Sequence, residues 1–265
     1  MDSILANGIN INYRLDMCKN KHPRTPVVML SNSLLSNYSM WDDQLEDLVQ
    51  HFTVLRYDTR GHGGTDAPAT PYSIELFVDD VVGLLDILAI DKVHFVGLSM
   101  GGFIGQLFSA RHSDRVRSLT LCDTACVMPP ASLWDERIKI AETEGVEGLI
   151  EGTLSRWFTE QFRRTNDKDV LKISNMIRTT AVHGYVNCTK AIRDMDQRRI
   201  LKDITVPTSI IVGDKDPACP VSAAETLHSG ILASKLIILA DAAHLPNIEK
   251  KREFNDALLG FLISK

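Results

Sequence analysis

Hydrophobic positions follow two different rhythms along this chain. From Ile9 to Leu15 apolar and polar residues alternate, the pattern of an antiparallel edge strand with one covered face. Further on come short, largely apolar, β-branched runs: Val27 to Leu30, Val54 to Tyr57, Val93 to Val96, Leu119 to Leu121, Ser209 to Val212 and Leu236 to Leu239. Strands buried on both faces of a parallel sheet have this composition. Amphipathic stretches separate most of them, at Trp41 to His51, Ser73 to Leu88, Met100 to Arg111, Val221 to Leu227 and Ile248 to Phe261. Ser73 supplies an N-cap oxygen to the second of these, and Glu75 and Asp79 place negative charge in its first turns. The alternation predicts an α/β protein with a mostly parallel sheet flanked by helices on both faces.

One interval interrupts that rhythm. Between residues 127 and 203 no run reads as a strand, and charged helical patterns succeed one another at Trp134 to Glu144, Val146 to Phe158, Asp169 to His183 and Val186 to Asp194. Pro129-Pro130 marks the entry and Pro207 the exit. The expected organisation is a core domain of residues 1–126 and 204–265, with an all-helical cap, residues 127–203, inserted over the sheet's carboxyl edge.

Composition narrows the function classes. A net charge of −5 over 265 residues leaves no basic excess to neutralise phosphates, so no nucleic-acid partner is expected. The five cysteines (Cys18, Cys122, Cys126, Cys188, Cys219) are odd in number and lack CxxC spacing, which predicts reduced thiols rather than disulfides. No Cys/His cluster or HExxH predicts a metal site. The N-terminus shows no signal-peptide pattern and no run is long enough for a membrane span. The expectation is a cytoplasmic protein whose sequons at Asn37 and Asn187 go unused. Its oligomeric state is not encoded in any visible pattern.

The chemistry is concentrated in Gly97-Leu98-Ser99-Met100-Gly101, a G-x-S-x-G pentapeptide. It directly follows the apolar strand Val93 to Val96 and directly precedes the helical stretch Met100 to Arg111. A serine on such a strand–turn–helix elbow is exposed on a sharp turn, and its flanking residues must be small. The hydroxyl needs a base. His244, between the last predicted strand and the C-terminal helix, lies beyond a strand's carboxyl end, on the same sheet edge as Ser99. His22, His51, His112 and His228 read as loop or helix-end residues, and His94 and His62 as structural histidines. For the carboxylate that orients the base, the chain order Ser…Asp…His allows Asp216, Asp214 or Asp123, with Asp216 preferred. Backbone N–H groups must hold the oxyanion. Met100 supplies one, and the loop Ser31-Asn32-Ser33-Leu34 the other.

The segments Ser31-Asn32-Ser33-Leu34, Met40-Trp41, Leu55-Arg56-Tyr57-Asp58-Thr59-Arg60-Gly61-His62-Gly63, Pro71-Tyr72-Ser73-Ile74-Glu75 and Gly97-Leu98-Ser99-Met100-Gly101-Gly102 resemble those of 3-oxoadipate enol-lactonases. These enzymes belong to the α/β-hydrolase superfamily. Within the insertion, Trp134 with Glu136-Arg137-Ile138, Arg156-Trp157-Phe158-Thr159 and Arg193-Asp194-Met195-Asp196 extend the likeness over nearly the whole chain. The resemblance implies an α/β-hydrolase fold and a serine hydrolase that uses no cofactor. It implies as substrate a small carboxylated lactone, 3-oxoadipate enol-lactone, opened to 3-oxoadipate in aromatic-acid catabolism. Aligned on Trp41, it makes Leu34 the second oxyanion donor, with Ser33 the adjacent alternative. The substrate's free carboxylate then calls for a partner in the cap. Trp134 and Arg137 lie on one helical face and could offer an indole N–H, a flat wall and a bidentate fork. Two departures touch the rim: Leu35 stands where a glycine is common, and Cys219-Pro220-Val221 replaces the usual Pro-Pro. The rival readings are an esterase or C–C bond hydrolase of the same fold, or a hydrolase-fold signalling receptor.

Overall fold

A short hairpin opens the chain. β1 (Asp2–Ala6) turns through Asn7 and Gly8, at φ 46° and 77°, into β2 (Ile9–Asp16), pairing Ala6 with Ile9. Asn-Gly is the pair best suited to two successive positive φ angles, so the turn that makes β1 a strand is written at Asn7-Gly8. The structure, a computed structural model, describes residues 2–20 and 25–265; His22 lies outside the described residues.

The buried apolar runs assemble with this hairpin into one sheet. β3 (Val27–Ser31), β4 (Thr53–Tyr57), β5 (Val93–Leu98), β6 (Val116–Cys122), β7 (Thr208–Gly213) and β8 (Ser234–Leu239) follow β2 in the chain. Among the described residues the strand order is β1-β2-β4-β3-β5-β6-β7-β8. Only β1 and β2 run antiparallel to their neighbours; every pairing from β4 to β8 is parallel. This is an α/β-hydrolase fold. All residues of β4, β5 and β7 are buried, as expected for strands covered on both faces.

Helices α1 (Asp42–Leu48), α2 (Ile74–Ile87) and α3 (Met100–Arg111) cover the first half of the sheet. The α2 start is as the sequence predicts: Ser73 is the N-cap and its Oγ accepts the Leu76 N–H at 3.2 Å. After β6 the chain enters a helical insertion: α4 (Ala131–Glu144), α5 (Ile150–Trp157), α6 (Glu160–Thr165), α7 (Asp167–Arg178) and α8 (Val182–Asp194). An isolated antiparallel bridge between Val127 and Asp196 ties the insertion's two ends together. It is one helix richer than its charge pattern suggested, because α6 is a six-residue helix capped by Thr159, too short to show a period. The core resumes with α9 (Val221–Gly230) between β7 and β8. The C-terminal stretch, expected as one helix, divides at Lys250 (φ −127°, ψ 49°) into α10 (Pro246–Glu249) and α11 (Lys251–Leu262). No helix of the described residues is long and apolar enough to cross a membrane.

The insertion is bound to the core by backbone as well as side chains. A Cβ on Gly184 of α8 would come within 2.5 Å of the Gly61 carbonyl oxygen, so the helix and the turn after β4 touch backbone to backbone. The Leu245 N–H donates to the Trp157 carbonyl at 3.1 Å, joining α5 to the segment that carries His244. Glu249 accepts the N–H of Thr159 at 3.1 Å and its hydroxyl, and with its other oxygen the Ala243 N–H at 2.8 Å.

Candidate active site

Ser99 sits at the junction of β5 and α3 with φ 55° and ψ −112°. A non-glycine residue there stores on the order of 1–3 kcal/mol of strain. The surroundings hold it: Ser99 N–H donates to Cys122 O (2.9 Å), while Ser99 O accepts the Gly102 N–H (2.8 Å) and the Thr124 hydroxyl (2.8 Å). The flanking glycines are there for space. A Cβ at Gly97 would lie 2.1 Å from Gly101 O, and one at Gly101 would lie 2.2 Å from Ser31 O. Since both obstacles are backbone, relief requires strand and helix to separate. Gly101→Ala is expected to cost about 3 kcal/mol. That should lower Tm by about 6–12 °C in a domain of this size, as measured by thermal unfolding.

His244 and Asp216 meet at the same edge. Ser99 ends β5, Asp216 follows β7 and His244 follows β8, all at carboxyl ends of parallel strands. His244 Nδ1 lies 2.7 Å from Asp216 Oδ2, and the Asp216 side chain is 0% exposed. Asp216 Oδ1 accepts the Ala218 N–H at 2.8 Å. A carboxylate bonded to Nδ1 leaves Nε2 of the neutral ring as an acceptor. Trp157 from the insertion stacks on the imidazole, with centroids 6.4 Å apart. The Ser99 hydroxyl makes no hydrogen bond to any described residue; in free hydrolases this contact commonly tightens only when substrate arrives.

The other two acids are used differently. Asp214 pairs with Lys215 at 3.1 Å in a half-exposed turn. Asp123 is buried, and its Oδ1 accepts the Gly213 N–H at 2.9 Å. Burial, reinforced by the charge of Asp216, pushes its carboxyl well above the usual carboxylate range.

The loop after β3 is held from several sides. Trp41 Nε1 donates to Asn32 Oδ1 (3.0 Å), Asn32 Nδ2 to Tyr57 O (2.7 Å), and Gly101 N–H to Asn32 O (2.9 Å). In this loop the Ser33 N–H points at Met40 Sδ (3.4 Å) and the Leu35 N–H at His62 Nε2 (2.9 Å). Among the described residues the Leu34 N–H has no acceptor. Leu35 has φ 64°, which explains physically why a glycine suits this position.

The insertion brings two arginines together without an acid. Arg137 on α4 stacks over Trp134 (5.3 Å), and its Nε donates to Tyr185 OH on α8 at 3.0 Å. Arg156 on α5 has its pKa brought down to about 10 by burial and then by the Arg137 charge. Neither guanidinium pairs with a carboxylate among the described residues. Arg156 was visible in the sequence only as part of a motif; its like-charged neighbour lies on another helix. Trp134 departs from expectation in one respect: its indole N–H is spent on Met128 O (2.8 Å) at the insertion's entry. A buried N–H must find an acceptor, and this carbonyl lies within reach, so the indole N–H is not left over for a ligand.

Asp216, Cys219 and His244 offer ligand atoms within 4.8 Å of one another. Burial, then the two nearby aspartates, push the Cys219 thiol well above its ordinary range, and His244 Nδ1 and Asp216 Oδ2 already meet each other at 2.7 Å. Of the remaining histidines, His94 bonds Ser118 Oγ (2.8 Å) inside the sheet, and burial lowers its pKa to about 4.

Residues 26–251 match the family described as alpha/beta hydrolase fold. The chain is 32% identical over 257 residues to 3-oxoadipate enol-lactonase 2 of Acinetobacter baylyi, covering 97% of this chain and 94% of that protein. It is 33% identical over 239 residues to 3-oxoadipate enol-lactonase 1 of the same organism, covering 90% and 89%. The crystal structure of the enol-lactonase from Burkholderia xenovorans LB400 matches it with a TM-score of 0.96 at 37% identity, over 99% of this chain and 100% of that one.

Proposed function

Since this chain belongs to the α/β-hydrolase superfamily and, within it, to the 3-oxoadipate enol-lactonase family, it is an ester-hydrolysing enzyme, and we propose that it opens a small carboxylated lactone through an acyl-enzyme on Ser99. The observation that carries the chemistry is the buried Asp216–His244 pair at 2.7 Å on the sheet edge that also presents Ser99. His244 Nε2 takes the proton from Ser99 Oγ as that oxygen attacks the lactone carbonyl. Asp216 holds the imidazole and stabilises its positive form. The N–H groups of Met100 and Leu34 receive the oxyanion, and the unpartnered state of the Leu34 N–H favours it over Ser33. Collapse breaks the ring C–O bond and expels an enolate, which takes the proton that His244 gained from Ser99 and becomes the ketone, leaving the imidazole neutral again. Water, deprotonated by His244, then attacks the acyl-serine; the ester C–O bond breaks and Ser99 regains its proton, so one water is consumed per ring opened.

The helices of residues 127–203 act as the cap, and Arg137 reads the substrate carboxylate, with Arg156 beside it and the Trp134 face as a wall. Two half-buried cations without an acid favour an anionic ligand. The named substrate is 3-oxoadipate enol-lactone, opened to 3-oxoadipate in aromatic-acid catabolism.

Steady-state assays on the carboxylated enol-lactone, a neutral lactone of similar size and a simple ester test this. The carboxylated lactone should be turned over with the highest kcat/KM. Arg137→Met should raise its KM about 10–100-fold, the worth of a charged hydrogen bond, and leave the neutral lactone nearly unchanged. Equal losses on both lactones would assign Arg137 to the cap's own packing, and preference for the simple ester would overturn the lactone reading.

A further inference from the structure

His62 lies in the turn that follows β4, a place where sequence suggests only a structural histidine. It is 1% exposed, and its Nε2 lies 2.9 Å from the Leu35 nitrogen. A backbone N–H can only donate, so Nε2 is the acceptor and Nδ1 carries the proton, which it directs at Arg60 O, 3.3 Å away. Burial lowers the ring's pKa to about 4, so the acceptor persists at neutral pH. The residue it holds is adjacent to Leu34 and strained at φ 64°. Nothing else among the described residues accepts the Leu35 N–H.

The ring is in turn locked by the insertion. Cys188 on α8 donates its thiol to Arg60 O (3.5 Å) and lies 3.9 Å from His62 Nδ1. One helical turn earlier, Gly184 packs directly on Gly61. Arg60 itself is fixed by two hydrogen bonds to the buried Asp80 (2.8 and 2.5 Å). The turn carrying His62 is thus rigid on one side and clamped by α8 on the other.

We propose that His62 is a positioning residue of the oxyanion hole: by accepting the Leu35 N–H it fixes the loop so that the Leu34 N–H stays free and aimed at the developing oxyanion, and α8 holds the ring in that role. This rests on the reading above of Ser99 as nucleophile and Leu34 as oxyanion donor. A free donor on a loop at positive φ would otherwise relax toward a conformation that satisfies it. The effect of His62 therefore falls on the transition state, where charge develops, more than on substrate binding.

The test uses the full chain and p-nitrophenyl acetate, so that lactone specificity does not enter, with an alkyl boronic acid as a mimic of the tetrahedral adduct. His62→Leu should lower kcat about 10–100-fold and weaken the boronate by a similar factor, while KM moves less than about threefold. His62→Gln places an amide oxygen near the lost Nε2 and should recover kcat to within about fivefold of the parent, whereas His62→Asn places it near Nδ1 and should not. If His62→Leu fails to fold, the comparison of Gln with Asn carries the decision. A kcat for His62→Leu within twofold of the parent, or Gln no better than Asn, overturns the proposal. Ser99→Ala, run alongside, separates the failures: hydrolysis surviving in that variant overturns the nucleophile, not the positioning role alone.

Discussion

Ser99→Ala is expected to retain the fold and to lose hydrolysis by roughly 10⁴-fold or more, as deletion of an activated nucleophile does. The fold should survive because the Ser99 hydroxyl makes no hydrogen bond to the described residues, and the elbow is maintained by backbone. The bonds of Ser99 N to Cys122 O and of Thr124 to Ser99 O do not involve the side chain. Alanine also tolerates φ 55° about as well as serine does. What remains is whatever the oxyanion donors and the pocket achieve with water alone. Circular dichroism and thermal unfolding should match the parent while turnover falls to near background. Activity within tenfold of the parent would mean that Ser99 is not the nucleophile.

Asp216→Asn is expected to lower kcat by about 10³–10⁴-fold. The side chain is isosteric, so the loss comes from charge and tautomer. An amide can present its N–H₂ to Nδ1, which moves the ring proton to Nε2, where the serine proton must go. It also removes the negative charge that stabilises imidazolium during attack. Asp123→Asn is expected to cost no more than about tenfold, since burial and the charge of Asp216 already push this carboxyl toward its neutral form, and an amide oxygen can still accept the Gly213 N–H. Asp214→Asn should change kcat by less than about twofold, because its carboxylate meets Lys215 and the Asp241 and Ala242 backbone in an exposed turn and makes no bond to His244. The three variants assayed together rank the carboxylates. If Asp123→Asn proved the most damaging, the orienting acid would lie after β6 rather than β7.

The comparison of these three aspartates shows where sequence stops being informative. Each follows a strand, each precedes His244 in the chain, and local pattern ranks them only weakly. Which one meets Nδ1 depends on the order of β6, β7 and β8 and on how far each loop rises, which are properties of the assembled sheet. The same division runs through the loop after β3. The resemblance pointed to Leu34, with Ser33 the alternative, as the second oxyanion donor, and the partners Met40 Sδ and His62 Nε2 that occupy the neighbouring N–H groups come from other segments. Arg156 beside Arg137, and Trp134 bonded to Met128, are likewise relations between helices that no periodicity records.

What the sequence determined by itself is what depends on neighbours along the chain. Period two and apolar runs predicted all of the strands except β1, whose five residues were too few and too mixed to register although Asn7-Gly8 marked its turn. The interval free of strands foretold the helical insertion. The elbow at Ser99 was legible because its constraint is local: a strand must turn into a helix within a few residues, and a Cβ at Gly97 or Gly101 would strike backbone 2.1 or 2.2 Å away. Tertiary structure decided the pairings of groups distant in sequence. Burial removes water as a partner, so each polar group must be satisfied by whichever acceptor the fold delivers, and that choice exists only once the sheet and the insertion are in place.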